Sequence, residues 1–145
     1  MTTYVIDASI AVKWALKEDF RPEAKRYLQS ELSIIAPDFI VYECSSAVQK
    51  KVWQNEISEQ AAWRAYDAIF EDNNLQLFAT KPLIQPAFRL AVQLNHSIYD
   101  CYYLALAIQE NAVVVTADRK FYDKAANSVY HHHIQWIESP PTVEA

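Results

Sequence analysis

The sequence contains no glycine among its 145 residues, although average usage of about 7% would give roughly ten. Many helices end in a residue with positive φ, and asparagine tolerates that conformation best after glycine. We therefore predict that asparagine replaces glycine where a helical pattern gives way to the next element. The candidate positions are Asn55, Asn73, Asn74, Asn95 and Asn111.

Cysteine and long apolar runs are also scarce. Cys44 and Cys101 each lie in an apolar helical pattern, which indicates buried thiols in a reducing compartment. The apolar runs are far shorter than a membrane span, and the first residues do not resemble a signal peptide. We therefore expect a cytoplasmic protein without membrane contact. The length fits one domain over residues 1–139, with 140–145 as a frayed tail.

Excess positive charge is absent as well. The formal net charge is −5, which argues against strong non-specific binding to a polyanion. Any contact with nucleic acid must therefore come from a local basic patch or from a bound cation.

Short β-rich runs alternate with helical apolar patterns along the chain. This alternation predicts a single α/β domain with a mainly parallel sheet. The segment from about 47 to 70 resembles a helical hairpin whose aromatic content, including Trp53 and Trp63, exceeds the need of one core face. We predict that it contributes an apolar groove for a partner helix. The strand-like runs cover residues 4–6, 33–36, 75–78, 112–115 and 134–137. The first two helical patterns cover residues 10–16 and 23–32, and Ser9 is a plausible N-cap of the first.

Four carboxylates stand in apolar surroundings, unlike the other acidic residues of the chain. They are Asp7, Glu43, Asp100 and Asp118. A carboxylate in such a place is rare unless a partner or a metal compensates its charge. Asp7 and Asp118 follow strands directly, and open α/β sheets bind ligands at the carboxyl ends of strands. Taken alone, Asp100 could also be a helix N-cap or part of a buried salt bridge.

A divalent cation would neutralise the repulsion among these carboxylates if they converge. Two unit charges about 4 Å apart cost roughly 4 kcal/mol at an effective dielectric near 20. Oxygen ligands select magnesium, or manganese as the alternative, over zinc. The run His131-His132-His133 is a rival metal motif, but adjacent histidines diverge on a strand. We interpret it as the polar start of the last strand.

Four stretches of the chain resemble PIN-domain nucleases, in particular VapC-type toxins. The match covers nearly the whole chain in the family's order and approximate spacing, although glycine is missing near Asn55 and Asn111, where such sequences often have one. The stretches are Val5-Ile6-Asp7-Ala8-Ser9-Ile10-Ala11-Val12-Lys13-Trp14; Pro37-Asp38 leading to Glu43; Ser97-Ile98-Tyr99-Asp100-Cys101-Tyr102-Tyr103-Leu104-Ala105-Leu106-Ala107; and Val115-Thr116-Ala117-Asp118-Arg119-Lys120-Phe121.

The resemblance implies a three-layer α/β/α PIN-like fold and metal-dependent endonucleolytic cleavage of RNA. It implies a catalytic quartet at Asp7, Glu43, Asp100 and Asp118, with Ser9 and Thr116 as supporting hydroxyls. It also implies a homodimer and a small VapB-like antitoxin partner. We expect Asp7 and Asp100 to bind the metal directly, and Glu43 and Asp118 to act through water or on a second ion. Basic residues near the site could hold the RNA backbone, namely Lys13, Lys17, Arg119 and Lys120.

Two alternatives remain open at this point. The first is a receiver- or phosphatase-like phosphoacceptor domain, which also places acidic residues at strand ends with magnesium. A phosphatase usually carries a second carboxylate two residues after its nucleophile, and that position is Ser9 here. The second is a non-catalytic PIN-like module that binds a partner through its helical hairpin.

Overall fold

A computed structural model describes residues 1–143 of the chain. Its strands are β1 (Thr3–Ile6), β2 (Ser33–Pro37), β3 (Gln76–Phe78), β4 (Val113–Thr116) and β5 (Ile134–Trp136). Its α-helices are α1 (Ala8–Ala11), α2 (Arg21–Lys25), α3 (Ile40–Trp53), α4 (Glu59–Phe70), α5 (Ile84–Leu94), α6 (Ile98–Gln109) and α7 (Arg119–Ala126). None of the helices in this part of the chain is long and apolar enough to cross a membrane.

The five strands form one parallel sheet in the order β3-β2-β1-β4-β5. Helix α6 packs across β2, β1 and β4, and α7 packs against β4 and β5. The central strands are buried on both faces, as parallel sheets covered by helices require; Val5 and Ile6 are fully inaccessible to solvent. The predicted three-layer α/β/α architecture is confirmed.

The strand order also explains where a site can form. The chain runs from β1 outward to β2 and β3, and then returns to place β4 on the other side of β1. This reversal opens a crevice beyond the carboxyl ends of β1 and β4, where open α/β sheets bind their ligands. Asp7 follows β1 directly, and Asp118 comes two residues after β4.

Asparagine does replace glycine at three helix ends. Positive φ values of 58°, 51° and 50° are found at Asn55, Asn95 and Asn111. The prediction was wrong for Asn73 and Asn74, which keep negative φ. The side-chain amide of Asn73 instead donates to two carbonyl oxygens in the last turn of α4, so it satisfies the helix end by hydrogen bonding. Phe20 also has positive φ (63°), which the pattern did not predict.

Two other expectations need correction. The run at 131–133 is a 3₁₀ turn before β5 and not the start of that strand. It is fixed by a contact of 2.9 Å between His133 Nδ1 and the carbonyl of Ala112. The helices expected over 10–16 and 23–32 are shorter, since each passes into a 3₁₀ turn. The structure describes the proposed tail as far as residue 143. Within it, Thr142 N donates a hydrogen bond to the Tyr4 hydroxyl. The domain boundary at residue 139 stays a prediction.

Candidate active site at the carboxyl edge of the sheet

Asp7 is the most buried carboxylate of the site, with 3% of its surface exposed. Its side chain caps α1 by accepting from Ile10 N at 3.2 Å. The pKa of Asp7 is raised from 3.8 to about 7, chiefly by burial; hydrogen bonds from the hydroxyls of Ser9 and Thr116 lower it, and the charges of Asp100 and Glu43 raise it. Metal-free Asp7 is therefore a carboxylate whose charge the protein does not fully stabilise.

Ser9 links the ends of the two strands that form the crevice. Its hydroxyl donates to Asp7 Oδ1 at 2.5 Å and accepts from Ala117 N at 2.9 Å. The fully buried Thr116 lies beside it, with 3.5 Å between the two hydroxyl oxygens. Ser9 is thus not the N-cap that its position after β1 suggested, because Asp7 takes that role and leaves the hydroxyl free for β4.

Glu43 lies in the first turn of α3 and is half-buried. Its Oε1 accepts a hydrogen bond of 2.6 Å from the hydroxyl of Tyr103, a fully buried residue on α6. Burial raises the pKa of Glu43, the Tyr103 bond lowers it and the charge of Asp100 raises it. Sequence reasoning missed Tyr103, although a tyrosine inside an apolar helix usually needs a partner for its hydroxyl.

Asp100 lies in the first turn of α6, where Ser97 and not Asp100 is the N-cap. Its Oδ2 is 2.6 Å from His96 Nε2, and the His96 ring stacks on Phe121 of α7 with a centroid distance of 5.5 Å. Burial raises the pKa of Asp100, the His96 bond lowers it and Asp118 raises it. His96 is the second residue that sequence reasoning missed; its place four residues before Asp100 was the available signal.

Asp118 is the exposed member of the quartet. Its Oδ1 accepts from Lys120 N at 3.0 Å and from Phe121 N at 3.3 Å, which caps α7. Its own backbone N donates to Thr116 Oγ1 at 3.0 Å. Half of this carboxylate is therefore already engaged, which fits a more peripheral role than that of Asp7.

The quartet forms one electrostatic neighbourhood, since Asp100 acts on Asp7 and on Glu43, and Asp118 acts on Asp100. Within residues 1–143, however, no three His, Cys, Asp or Glu side chains are arranged closely enough to enclose a metal ion. The available ligands are carboxylate and hydroxyl oxygens, which hard cations prefer. A bound cation would stabilise the ionised carboxylates and so lower their raised pKa values. The chemistry of the residues therefore fits a divalent cation.

The basic residues predicted near the site differ in their environment. Lys13 is buried and forms an ion pair of 3.1 Å with Glu18, so its charge is not freely presented. The Arg119 guanidinium lies 3.9 Å from the centroid of the Trp136 ring. Lys120 is exposed at the start of α7. A role for these residues in RNA binding stays a prediction.

Comparison with known proteins identifies the family of this chain. The family model of the PIN domain matches residues 4–127, and the chain therefore belongs to the PIN-domain family. One relative, "Ribonuclease VapC3" of Pyrobaculum aerophilum, is 24% identical over 121 residues, which cover 83% of this chain and 92% of that protein.

Two solved structures share the fold. PAE2754 from Pyrobaculum aerophilum superposes with a TM-score of 0.71 at 21% identity, over 94% of this chain and 85% of its own. VapBC2 from Rickettsia felis, solved bound to a DNA fragment from its promoter, gives a TM-score of 0.66 at 17% identity. That match covers 93% of this chain and 98% of the other. At these identities, the structures support the fold alone.

Proposed function

We propose that this chain is a metal-dependent endoribonuclease and the toxin of a toxin–antitoxin pair. The observation that carries the proposal is the buried Asp7 at the end of β1, where the strand order reverses. Asp7 lies close enough to Asp100 and Glu43 for their charges to raise its pKa. Membership of the PIN-domain family and the relative named as a ribonuclease support the reaction class.

Each member of the site has a separate task in this proposal. Asp7 and Asp100 would hold the metal directly, and Glu43 and Asp118 would bind through water or orient the attacking water. When bound, magnesium or manganese supplies Lewis-acid chemistry, which polarises the scissile phosphate and lowers the pKa of a bound water. Ser9 fixes the Asp7 carboxylate, and Thr116 helps to keep it ionised.

Two residues position the carboxylates from behind. The Tyr103 hydroxyl is hydrogen-bonded to one oxygen of Glu43, and His96 to one oxygen of Asp100. The second oxygen of each carboxylate therefore stays available to a metal or to water. Such supporting hydrogen bonds orient metal-binding groups and tune their basicity. The same arrangement gives less support to a phosphoacceptor, because the position where a phosphatase needs its second carboxylate holds Ser9.

An antitoxin partner is the second part of the proposal. The complex from Rickettsia felis is a structural neighbour, and the hairpin of α3 and α4 exposes 72% of Trp53 and 66% of Trp63. A groove of about 370 Å³ lies on this hairpin, lined by Val48, Ala62 and Trp63 among others. We propose that an amphipathic helix of the antitoxin binds there, and that the toxin is a cytoplasmic homodimer.

A cleavage assay tests the reaction class. The purified chain should cut a mixed-sequence RNA with magnesium and should leave it intact in excess chelator. The Asp123→Asn variant is the matched control, because Asp123 is an exposed carboxylate on α7 outside the quartet. Cleavage that is equally fast in chelator, or no cleavage of any RNA with magnesium or manganese, would contradict the proposal.

A further inference from the structure

A groove along α3 leads away from the acidic site and combines aromatic rings with lysines. It has a volume of about 620 Å³ and includes Glu43 in its lining. We call it the α3 groove, defined by Phe39, Tyr42, Glu43, Lys50, Lys51 and Tyr99. We propose that the α3 groove binds the single-stranded RNA on one side of the scissile bond, an inference that rests on the proposed ribonuclease function.

The aromatic part of the groove lies next to the carboxylates. The rings of Phe39 and Tyr99 are stacked, with centroids 5.2 Å apart and planes 15° apart. Tyr42 lies 6.3 Å from Phe39, and 71% of Tyr42 and 55% of Tyr99 are exposed. Tyr99 immediately precedes Asp100. Exposed rings beside a catalytic site offer surfaces on which successive bases can stack.

The α3 groove becomes more positively charged toward the C-terminal end of α3. Glu18 in the lining is paired with Lys13 at 3.1 Å, and Lys51 is paired with Glu56 at 2.9 Å. Lys50 is exposed and forms no ion pair within residues 1–143, so it remains available for a phosphate.

The dimensions suit a short piece of single strand. Lys50 lies seven positions after Glu43, which corresponds to about 10 Å along the helix axis. At a rise of 3.4 Å per stacked nucleotide, about three nucleotides fit between the site and Lys50.

The composition favours RNA over a protein partner. Lysine is depleted at protein interfaces, whereas lysine with exposed aromatic rings is typical of single-strand binding surfaces. The exposed apolar residues on α5 show the contrast, since Ile84, Phe88 and Val92 form a face without lysine. A protein contact suits that face better than it suits the α3 groove.

Binding of a fluorescein-labelled ten-nucleotide single-stranded RNA, measured by anisotropy in chelator at low salt, tests the proposal with the full chain. Tyr99→Ala and Tyr42→Ala should each weaken RNA binding at least about fivefold, because each removes a ring on which one base of the RNA stacks. Tyr99→Phe and Tyr42→Phe should bind as the wild type does. Phe88→Ala is the matched control, an exposed aromatic residue on α5 outside the α3 groove, and should leave RNA binding unchanged.

Salt dependence gives an independent readout. Lys50→Ala should reduce the slope of log affinity against log salt by about 0.7, the value for one phosphate contact on a single strand. Wild-type affinity and slope in the alanine variants, or no binding by the wild type, would overturn the proposal. So would a Tyr99→Ala variant that converts a dimer to a monomer in sedimentation, because the groove would then be a contact between copies.

These outcomes are separate from failure of the nuclease proposal. A chain that binds RNA through the groove but never cleaves it contradicts the nuclease proposal. If the chain cleaves RNA and the tyrosine variants bind RNA as the wild type does, only the proposal for the α3 groove is contradicted.

Discussion

Replacing Asp7 by asparagine should stabilise the metal-free protein at pH 8. The carboxyl is 3% exposed, and its pKa is about 7 in the folded protein against an ordinary value of 3.8. A difference of about 3 pKa units at 1.36 kcal/mol each corresponds to a penalty on the order of 4 kcal/mol. Asparagine keeps an oxygen to accept from Ser9 and Ile10 but carries no charge. For a domain of this size, the melting temperature should rise by about 10 °C.

The pH dependence identifies the cause. Below pH 3.8 Asp7 is protonated in both folded and unfolded chains, so it contributes nothing. Between pH 3.8 and about 7 the folded state binds more protons at Asp7, so the contribution of Asp7 to stability becomes less favourable as the pH rises, and it levels off above pH 7. The advantage of Asp7→Asn should therefore grow over this window in thermal melts with chelator. Asp123→Asn, the exposed control, should show no such trend. An Asp7→Asn variant that melts below the wild type at pH 8, or a difference independent of pH, would refute the reasoning.

Three further predictions concern the metal ligand Asp100 and the supporting residues His96 and Tyr103. Magnesium at a hundred times its dissociation constant should stabilise the wild type by about 2.7 kcal/mol and Asp100→Asn far less, as measured by thermal melts. The opposite pattern, in which Asp100→Asn melts lower in chelator and magnesium shifts neither protein, would make the site structural. His96→Ala should weaken magnesium affinity 10- to 100-fold in the same titration, whereas His96→Gln, which retains an N–H donor, should lose less; equal affinities would exclude a positioning role. Tyr103→Phe should raise the pKa of Glu43, measured by NMR titration, because the Tyr103 bond lowers it; an unchanged or lower pKa would contradict this.

Local patterns were sufficient to predict the frame of the site. Asp7 and Asp118 could be predicted because each follows a short apolar run whose strand character is unambiguous. Parallel strands then bring their carboxyl ends to one edge. The helix ends at Asn55 and Asn111 were predictable for the same reason, since the reversal of the chain is a local property.

The supporting residues could not be predicted because their partners are set by tertiary packing. Tyr103 meets Glu43 across 60 positions of sequence, between α6 and α3. Ser9 looked like an N-cap, but Ala117 N on the other side of the crevice needs an acceptor, and Asp7 can cap α1 in its place. The ion pair of Lys13 with Glu18 could not be predicted either, because it depends on how the chain turns after the 3₁₀ turn that contains Lys13.

The rate of RNA cleavage by Asp100→Ala with magnesium tests the central claim most directly. Removing a direct metal ligand should cost at least about 10- to 100-fold, the loss that even supporting residues of metal sites produce. Circular dichroism should show that the variant keeps its fold, because Asp100 is only half-buried and Ser97 caps α6 without it. We predict no detectable cleavage by a folded Asp100→Ala protein under conditions where the wild type and Asp123→Asn cleave. A folded Asp100→Ala protein that cleaves RNA at the wild-type rate would contradict the account.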